Sequence, residues 1–113
     1  MPVVRTQPAD RGPVSLAEIG ADRATAAQVQ KRMAALTDAS RLDICRHLVN
    51  EPCTTAEIAR RVGMSAPQVS RHLRRLRENG LLESSREGKH ANHRLNLPVV
   101  YSLGYDLVSR ITH

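Results

Sequence analysis

Two helix-start signals stand eleven positions apart, and together they leave the chain between them almost no freedom. In Thr54-x-x-Glu57, and again in Ser65-x-x-Gln68, a hydroxyl side chain is followed three positions later by a carboxylate or an amide. Such a pair forms a capping box. The hydroxyl oxygen accepts the N–H of the third helical residue, and the longer side chain reaches back to the N–H of the cap. The first box opens a helix that turns Ile58 and Val62 inward. Gly63 follows, where a helix end takes a left-handed residue that suits glycine because it lacks a Cβ. Pro67 sits in the first turn of the next helix, where its missing N–H does no harm. A short helix, a tight turn and a longer helix thus succeed one another with hardly a spare residue. That is a helix-turn-helix.

The longer helix lies in MSAPQVSRHLRRLRENGLLE, residues 64–83. At about 100° per residue, Val69, Leu73 and Leu76 fall in one narrow sector and face the core. Arg71, Arg74, Arg75 and Glu78 project from the far side, with Gln68 beside them near the N-terminus. A merely solvated face usually mixes its charges as Glu/Lys pairs, whereas here three arginines meet one glutamate. Alone, a charge run reads as a solvated face. The turn upstream presents the first half of this helix outward and favours a polyanionic partner instead. Asn79-Gly80 ends the helix.

Before this unit, a helix over about 22–37 carries Val29, Met33 and Leu36 on one side. Ser15-x-x-Glu18 caps a short turn that Gly20 closes, and residues 1–14 form a flexible tail. Asp38 caps a second helix, in which Leu42, Cys45, Leu48 and Val49 share an apolar side and Asn50-Glu51-Pro52 is the stop. Beyond Gly80, LLESSREGKHANHRLNL gives two strands around Glu87-Gly88-Lys89, with Leu82, Leu95 and Leu97 inward. Arg86, Lys89, His90 and Arg94 keep that tip basic. Pro98 starts a last helix, about 98–112, with Val100, Leu103, Leu107 and Ile111 along one side. Its stripe exceeds what so small a domain buries, so with Val29 and Met33 it forms a dimer seam. The competing reading folds it back on its own core.

With 113 residues the chain makes one domain, here residues 15–113. Its aromatics are two Tyr with no Phe or Trp, so the core is aliphatic and the fold mainly α. Seventeen Lys and Arg against eleven Asp and Glu leave a net charge of +6, which points to nucleic acid or an anionic membrane. No basic amphipathic helix with bulky aromatics supports the membrane, and no apolar run nears the roughly 18 residues of a span. The first fifteen residues lack the apolar stretch of a secretion signal. Two cysteines make no disulfide framework, so a reducing cytoplasm is expected. There is no Ser/His/Asp order, no phosphate-cradling glycine loop and no paired carboxylates in an apolar setting. The chain does not read as an enzyme.

From Ala35 to Leu95 the sequence resembles the ArsR/SmtB family of winged-helix bacterial repressors. ALTDASRLDICRHL carries part of the likeness. Ser65-x-x-x-Val69-Ser70-Arg71-His72-Leu73-x-x-Leu76-Arg77-x-x-Gly80-Leu81, followed by Arg86-Glu87-Gly88-Lys89, carries the rest. The resemblance implies a winged helix-turn-helix with a small β-hairpin wing, and a homodimer that sits on a palindromic operator until an inducer removes it. Double-stranded DNA is then the partner, and the longer helix lies in its major groove. Gln68 and Arg71 suit base edges, an amide pairing with adenine and a guanidinium with guanine. Gln68 has a rival use as the capping partner of Ser65. Ser65, Ser70, Arg74 and Arg75 suit phosphates, with Arg86, Lys89 and His90 on the wing. His72 matches a family position near DNA; its other reading is a packed, hydrogen-bonded histidine.

Many members of that family bind a metal, and here the sequence departs from them. Thr54 and Ala56 stand where those sensors carry Cys-x-Cys, and Val108 stands two residues after Asp106 where a histidine is needed. No metal or other cofactor is expected, and no residue pattern names an inducer. His90 and His93 lie three apart on a strand and point to opposite faces, His93 sharing the inward parity of Leu95. His47 belongs to the second helix and His113 to the chain end, while Cys45 reads as a buried apolar residue. Cys53 precedes a helix N-terminus, a position that lowers a thiol pKa. A metal- or thiol-responsive sensor using an unrecognised site is therefore one alternative. A protein-binding module that docks through its last helix is the other.

Overall fold

Each helix among the described residues opens on a polar side chain that accepts an N–H of its first turn, or on the end of the sheet. The structure, a computed structural model, describes residues 24–112. The expected tail, the Ser15–Glu18 turn with Gly20, the first residues of the helix placed at 22–37, and His113 lie outside the described residues. Helix α1 spans Ala26–Leu36, capped by Thr25 and Gln28 in a third capping box. Helix α2 spans Ala39–His47, and the Asp38 carboxylate accepts the Arg41 N–H at 3.0 Å. That bond holds the Asp38 carboxyl below its usual pKa.

Strand β1 (Cys53–Thr54) and helix α3 (Thr55–Val62) follow, then helix α4 (Ala66–Glu78). Strands β2 (Leu82–Glu87) and β3 (His90–Leu95) form the expected hairpin, and helix α5 spans Leu97–Thr112. The sheet has three strands, not two. β3 lies in the centre, antiparallel to β2 and to β1, with Cys53 opposite His93. Leu97 is buried as expected but belongs to the first turn of α5, since the ladder ends at Leu95.

The core gathers Ile44, Leu48, Ile58, Val69, Leu73, Leu76 and Leu81, all fully buried, from α2, α3, α4 and the entry to the sheet. On α2 the expected apolar side is corrected at Leu42, which is 47% exposed. Leu48 lies one turn from Ile44 and shares its face, whereas Leu42 is rotated about 160° from Ile44.

The dimer seam also needs correction. Val29 and Leu103 are 4% and 5% exposed, covered within a single protomer, and Met33 and Val100 pack half-buried against the same core. α1 packs on α5, and the Arg110 guanidinium donates to the Ala24 carbonyl at 2.8 Å. The inner face of α5 carries Leu97, Ser102, Leu103 and Asp106. It is thus rotated from the apolar stripe, because two of its buried positions are polar. Leu107 and Ile111 remain outside, together with Tyr101, Tyr105 and Val108.

Candidate nucleic-acid interface

The helix-turn-helix is locked by its own polar side chains before anything else packs on it. In the first box the Thr54 N–H donates to Glu57 at 2.8 Å, and the Glu57 N–H donates to the Thr54 hydroxyl at 3.2 Å. The first of these bonds holds the Glu57 carboxyl below its usual pKa. Gly63 has φ of 70°, and the N–H groups of Gly63 and Met64 both reach the Ala59 carbonyl, at 3.0 and 3.2 Å. In the second box the Ser65 N–H and hydroxyl both donate to Gln68 Oε1 at 3.0 Å.

That last pair of bonds decides between the two uses of Gln68. Bidentate pairing with adenine needs the amide oxygen and the amide N–H together. Here the oxygen is committed to the cap, so Gln68 offers a partner only its N–H donors.

Ser70, Arg71, Arg74 and Arg75 are exposed along one flank of α4, as the helical spacing requires. Arg74 Nε donates to Glu78 at 3.0 Å, one turn on. Arg71 and Arg75 have no side-chain partner among the described residues, so their guanidinium forks are unoccupied. His72 turns the other way. It is half-buried, with Nδ1 3.4 Å from Arg41 Nη1, while Arg41 Nε donates to the Ala35 carbonyl at 2.6 Å. His72 is thus packed and its ring ties α4 to α2.

The wing turns at Gly88, with φ of 63°, and Arg86, Lys89 and His90 are exposed around its tip. Its root is held by His93, buried between the Ser84 hydroxyl at 2.8 Å from Nδ1 and the Thr55 hydroxyl at 3.1 Å from Nε2. Burial, and after it the Arg77 charge, lowers the His93 pKa and disfavours the charged ring. β1, which runs directly into α3, pairs with β3 at the same place. Wing and helix-turn-helix are thus tied together by strand pairing and by the His93 hydrogen bonds. The strand parity of His93 was visible in the sequence; its two hydroxyl partners and β1, only two residues long, were not.

Neither thiol is activated. Cys53 is fully buried, with Sγ 3.1 Å from Arg61 Nη1 and directed toward the carbonyls of His47 and Glu51. Burial raises its pKa, which corrects the lowering expected from its place before a helix; the Arg61 charge only partly opposes it. Burial pushes Cys45 up to about 11. Among the described residues no three His, Cys, Asp or Glu side chains converge on a point where a metal would sit. No helix there is long and apolar enough to cross a membrane.

A profile described as a helix-turn-helix domain matches residues 36–85. The HTH-type transcriptional regulator NmtR of Mycobacterium tuberculosis is 39% identical over 85 residues, 75% of this chain and 63% of NmtR. The chain thus spans less than two thirds of that relative. The HTH-type transcriptional regulator YgaV of Escherichia coli is 31% identical over 85% of this chain and 90% of its own length. Among solved structures, the homodimeric winged helix-turn-helix domain of Mb0332 from Mycobacterium bovis, described as a possible ArsR-family regulator, superposes with a TM-score of 0.62. It is 26% identical, over 75% of this chain and 82% of that domain.

Proposed function

The chain belongs to the ArsR/SmtB family of winged helix-turn-helix transcriptional regulators, and from that premise we propose that it represses transcription in the cytoplasm by binding a palindromic DNA operator as a homodimer. The observation that carries this reading is the exposed face of α4. Among the described residues Arg71 and Arg75 have no side-chain partner, on a helix whose first turn is held outward by the Ser65–Gln68 box. Arg71 reads a guanine edge, and Ser65, Ser70, Arg74 and Arg75 hold phosphates. Arg86, Lys89 and His90 follow the backbone from the wing, and the N–H donors of Gln68 face the groove.

The dimer is supported by the homodimeric Mb0332 domain and by the apolar residues that α5 leaves outside. Tyr101, Tyr105, Leu107, Val108 and Ile111 make up the seam, in place of Val29, Met33, Val100 and Leu103. A dimer places two copies of α4 on two half-sites about one helical turn apart, which is why the operator is palindromic.

Selection of bound sites from random duplex DNA tests this directly. The expected product is an inverted repeat with half-sites about 34–36 Å apart and an affinity that falls steeply with salt. Recovery of unrelated sequences, or binding indifferent to salt, sinks the proposal and favours the protein-docking alternative.

A further inference from the structure

Behind the last turn of α4 lies a second concentration of positive charge, of which the proposed operator contacts draw only on Arg75. Gln28, Lys31 and Arg32 of α1 face Arg75, Arg77 and Gly80 across an open cleft of about 730 Å³. Four cations thus share one volume with a single carboxylate, Glu78, whose Oε2 is already engaged by Arg74. The negative end of a helix dipole ordinarily absorbs cations placed at its C-terminus. Here the terminal carbonyls have their own donors. Arg32 Nε reaches the Asn79 carbonyl at 2.9 Å, and Asn79 Nδ2 reaches that of Arg75 at 2.8 Å. The carbonyls of Leu76 and Arg77 accept backbone N–H groups of residues 79–81.

The charge of Lys31 and Arg77 is therefore left for something else, and Arg75 stands between this cleft and the operator face. None of the three has a side-chain partner among the described residues. Arg32 is half-buried and held in place, leaving its terminal nitrogens for the cleft. Gly80 makes room for it: a Cβ there would come 3.2 Å from Arg32 Nη2. Gln28 commits its carbonyl to the Thr25 N–H at 2.8 Å and keeps its amide donors free.

We propose that this cleft binds a phosphate group. Guanidinium forks match a tetrahedral oxyanion in shape and charge, and a doubly charged phosphate offsets much of the surplus. Gln68 and Glu78 are ten residues apart, about 15 Å along the helix, so the cleft is separate from the base-reading turn. Two sources supply this chemistry: a backbone phosphate of DNA flanking the contacted groove, or a free phosphate ester. Only the first depends on the proposed DNA binding.

The test titrates the full chain with sodium pyrophosphate at about 50 mM salt, where screening is weak, following the amide resonance of Gly80. Saturable binding is expected, weakened about tenfold or more in Lys31→Ala/Arg77→Ala, the loss due to charge-assisted hydrogen bonds. Arg60→Ala removes an exposed cation elsewhere and should leave pyrophosphate affinity unchanged. The second arm measures the salt slope of binding to a duplex with long flanks. A slope lowered by about one in Lys31→Ala identifies the DNA backbone as the source. An unchanged slope, with pyrophosphate saturating the DNA-bound protein, identifies a free ligand. Equal weakening by Arg60→Ala overturns the proposal, as does absence of saturable binding together with an unchanged slope. Failure to bind any duplex removes the operator reading and leaves the pyrophosphate arm intact.

Discussion

α4 and α5 lean on one core and turn opposite chemistries to the outside. α4 buries Val69, Leu73 and Leu76 and exposes arginine. α5 buries two polar residues, Ser102 and Asp106, beside Leu97 and Leu103, and exposes five large apolar or aromatic ones. An arginine face is stable in water and needs a partner only for specificity. An apolar face in water costs about 25 cal/mol per Å², so covering it is favourable with almost any fitting surface. In the proposed function each outward face has its own partner: a polyanion for α4, another apolar face for α5.

The sharpest way to break that contrast is within α5 itself. Leu103→Ala removes a core side chain and should cost about 2–5 kcal/mol of stability in urea denaturation. Val108→Glu/Ile111→Glu alters only exposed positions and should leave the protomer folded. It should raise the dimer Kd at least about 100-fold, roughly 2.7 kcal/mol, by sedimentation equilibrium. An unfolded double variant would mean that the outer face of α5 belongs to the protomer's own core.

On α4 the effects should be smaller and divided. Arg71→Ala should cost about 1–3 kcal/mol on the operator and relax base preference at one position. Arg75→Ala should weaken binding to all duplexes alike and lower the salt slope by about one unit. Equal losses on operator and random DNA for Arg71→Ala would place it with the phosphate contacts.

The turn between α3 and α4 comes next. Gly63→Ala puts a Cβ on a left-handed residue with nothing within 4 Å, so the cost is backbone strain alone. About 1–2 kcal/mol of stability should be lost, with the base preference kept.

The smallest effect is the response to pH at the wing root. The His93 pKa is lowered from 6.5 in the folded state. Between that lowered value and 6.5 the unfolded chain binds the proton and the folded one does not, so stability falls as pH drops through that window and is complete above it. Thermal unfolding from pH 7 to pH 5 should show this decline, and His93→Gln should flatten it. An unchanged slope in His93→Gln would assign the decline to another group.

Much of the putting-together was legible because it is local. The boxes at Thr54–Glu57 and Ser65–Gln68, the left-handed Gly63 and the Gly88 hairpin each depend on residues within a few positions of one another. Spacing also orders α4 correctly, since its buried residues are all apolar and, after Ala66 and Pro67 in the first turn, its exposed ones are all polar. α5 defeated the same reasoning. A stripe of Val100, Leu103, Leu107 and Ile111 assumes that buried means apolar, and Ser102 and Asp106 break that assumption. Leu42 failed for a related reason, because α2 is short and its apolar residues fall on more than one side.

The sequence by itself determined where helices start, where the chain turns, and which helix carries charge outward. Hydrogen bonds among near neighbours, steric limits on φ and the period of the helix decide those matters, and all three act over a few residues. Tertiary structure alone decided that β1 joins the wing, that His93 binds Ser84 and Thr55, and that the Gln68 oxygen is occupied. It alone raised the Cys53 pKa and set Arg32 beside Gly80 to close the floor of a cationic cleft. Each of these depends on which distant segments meet and on how much water their meeting excludes, and neither quantity is written in residue spacing.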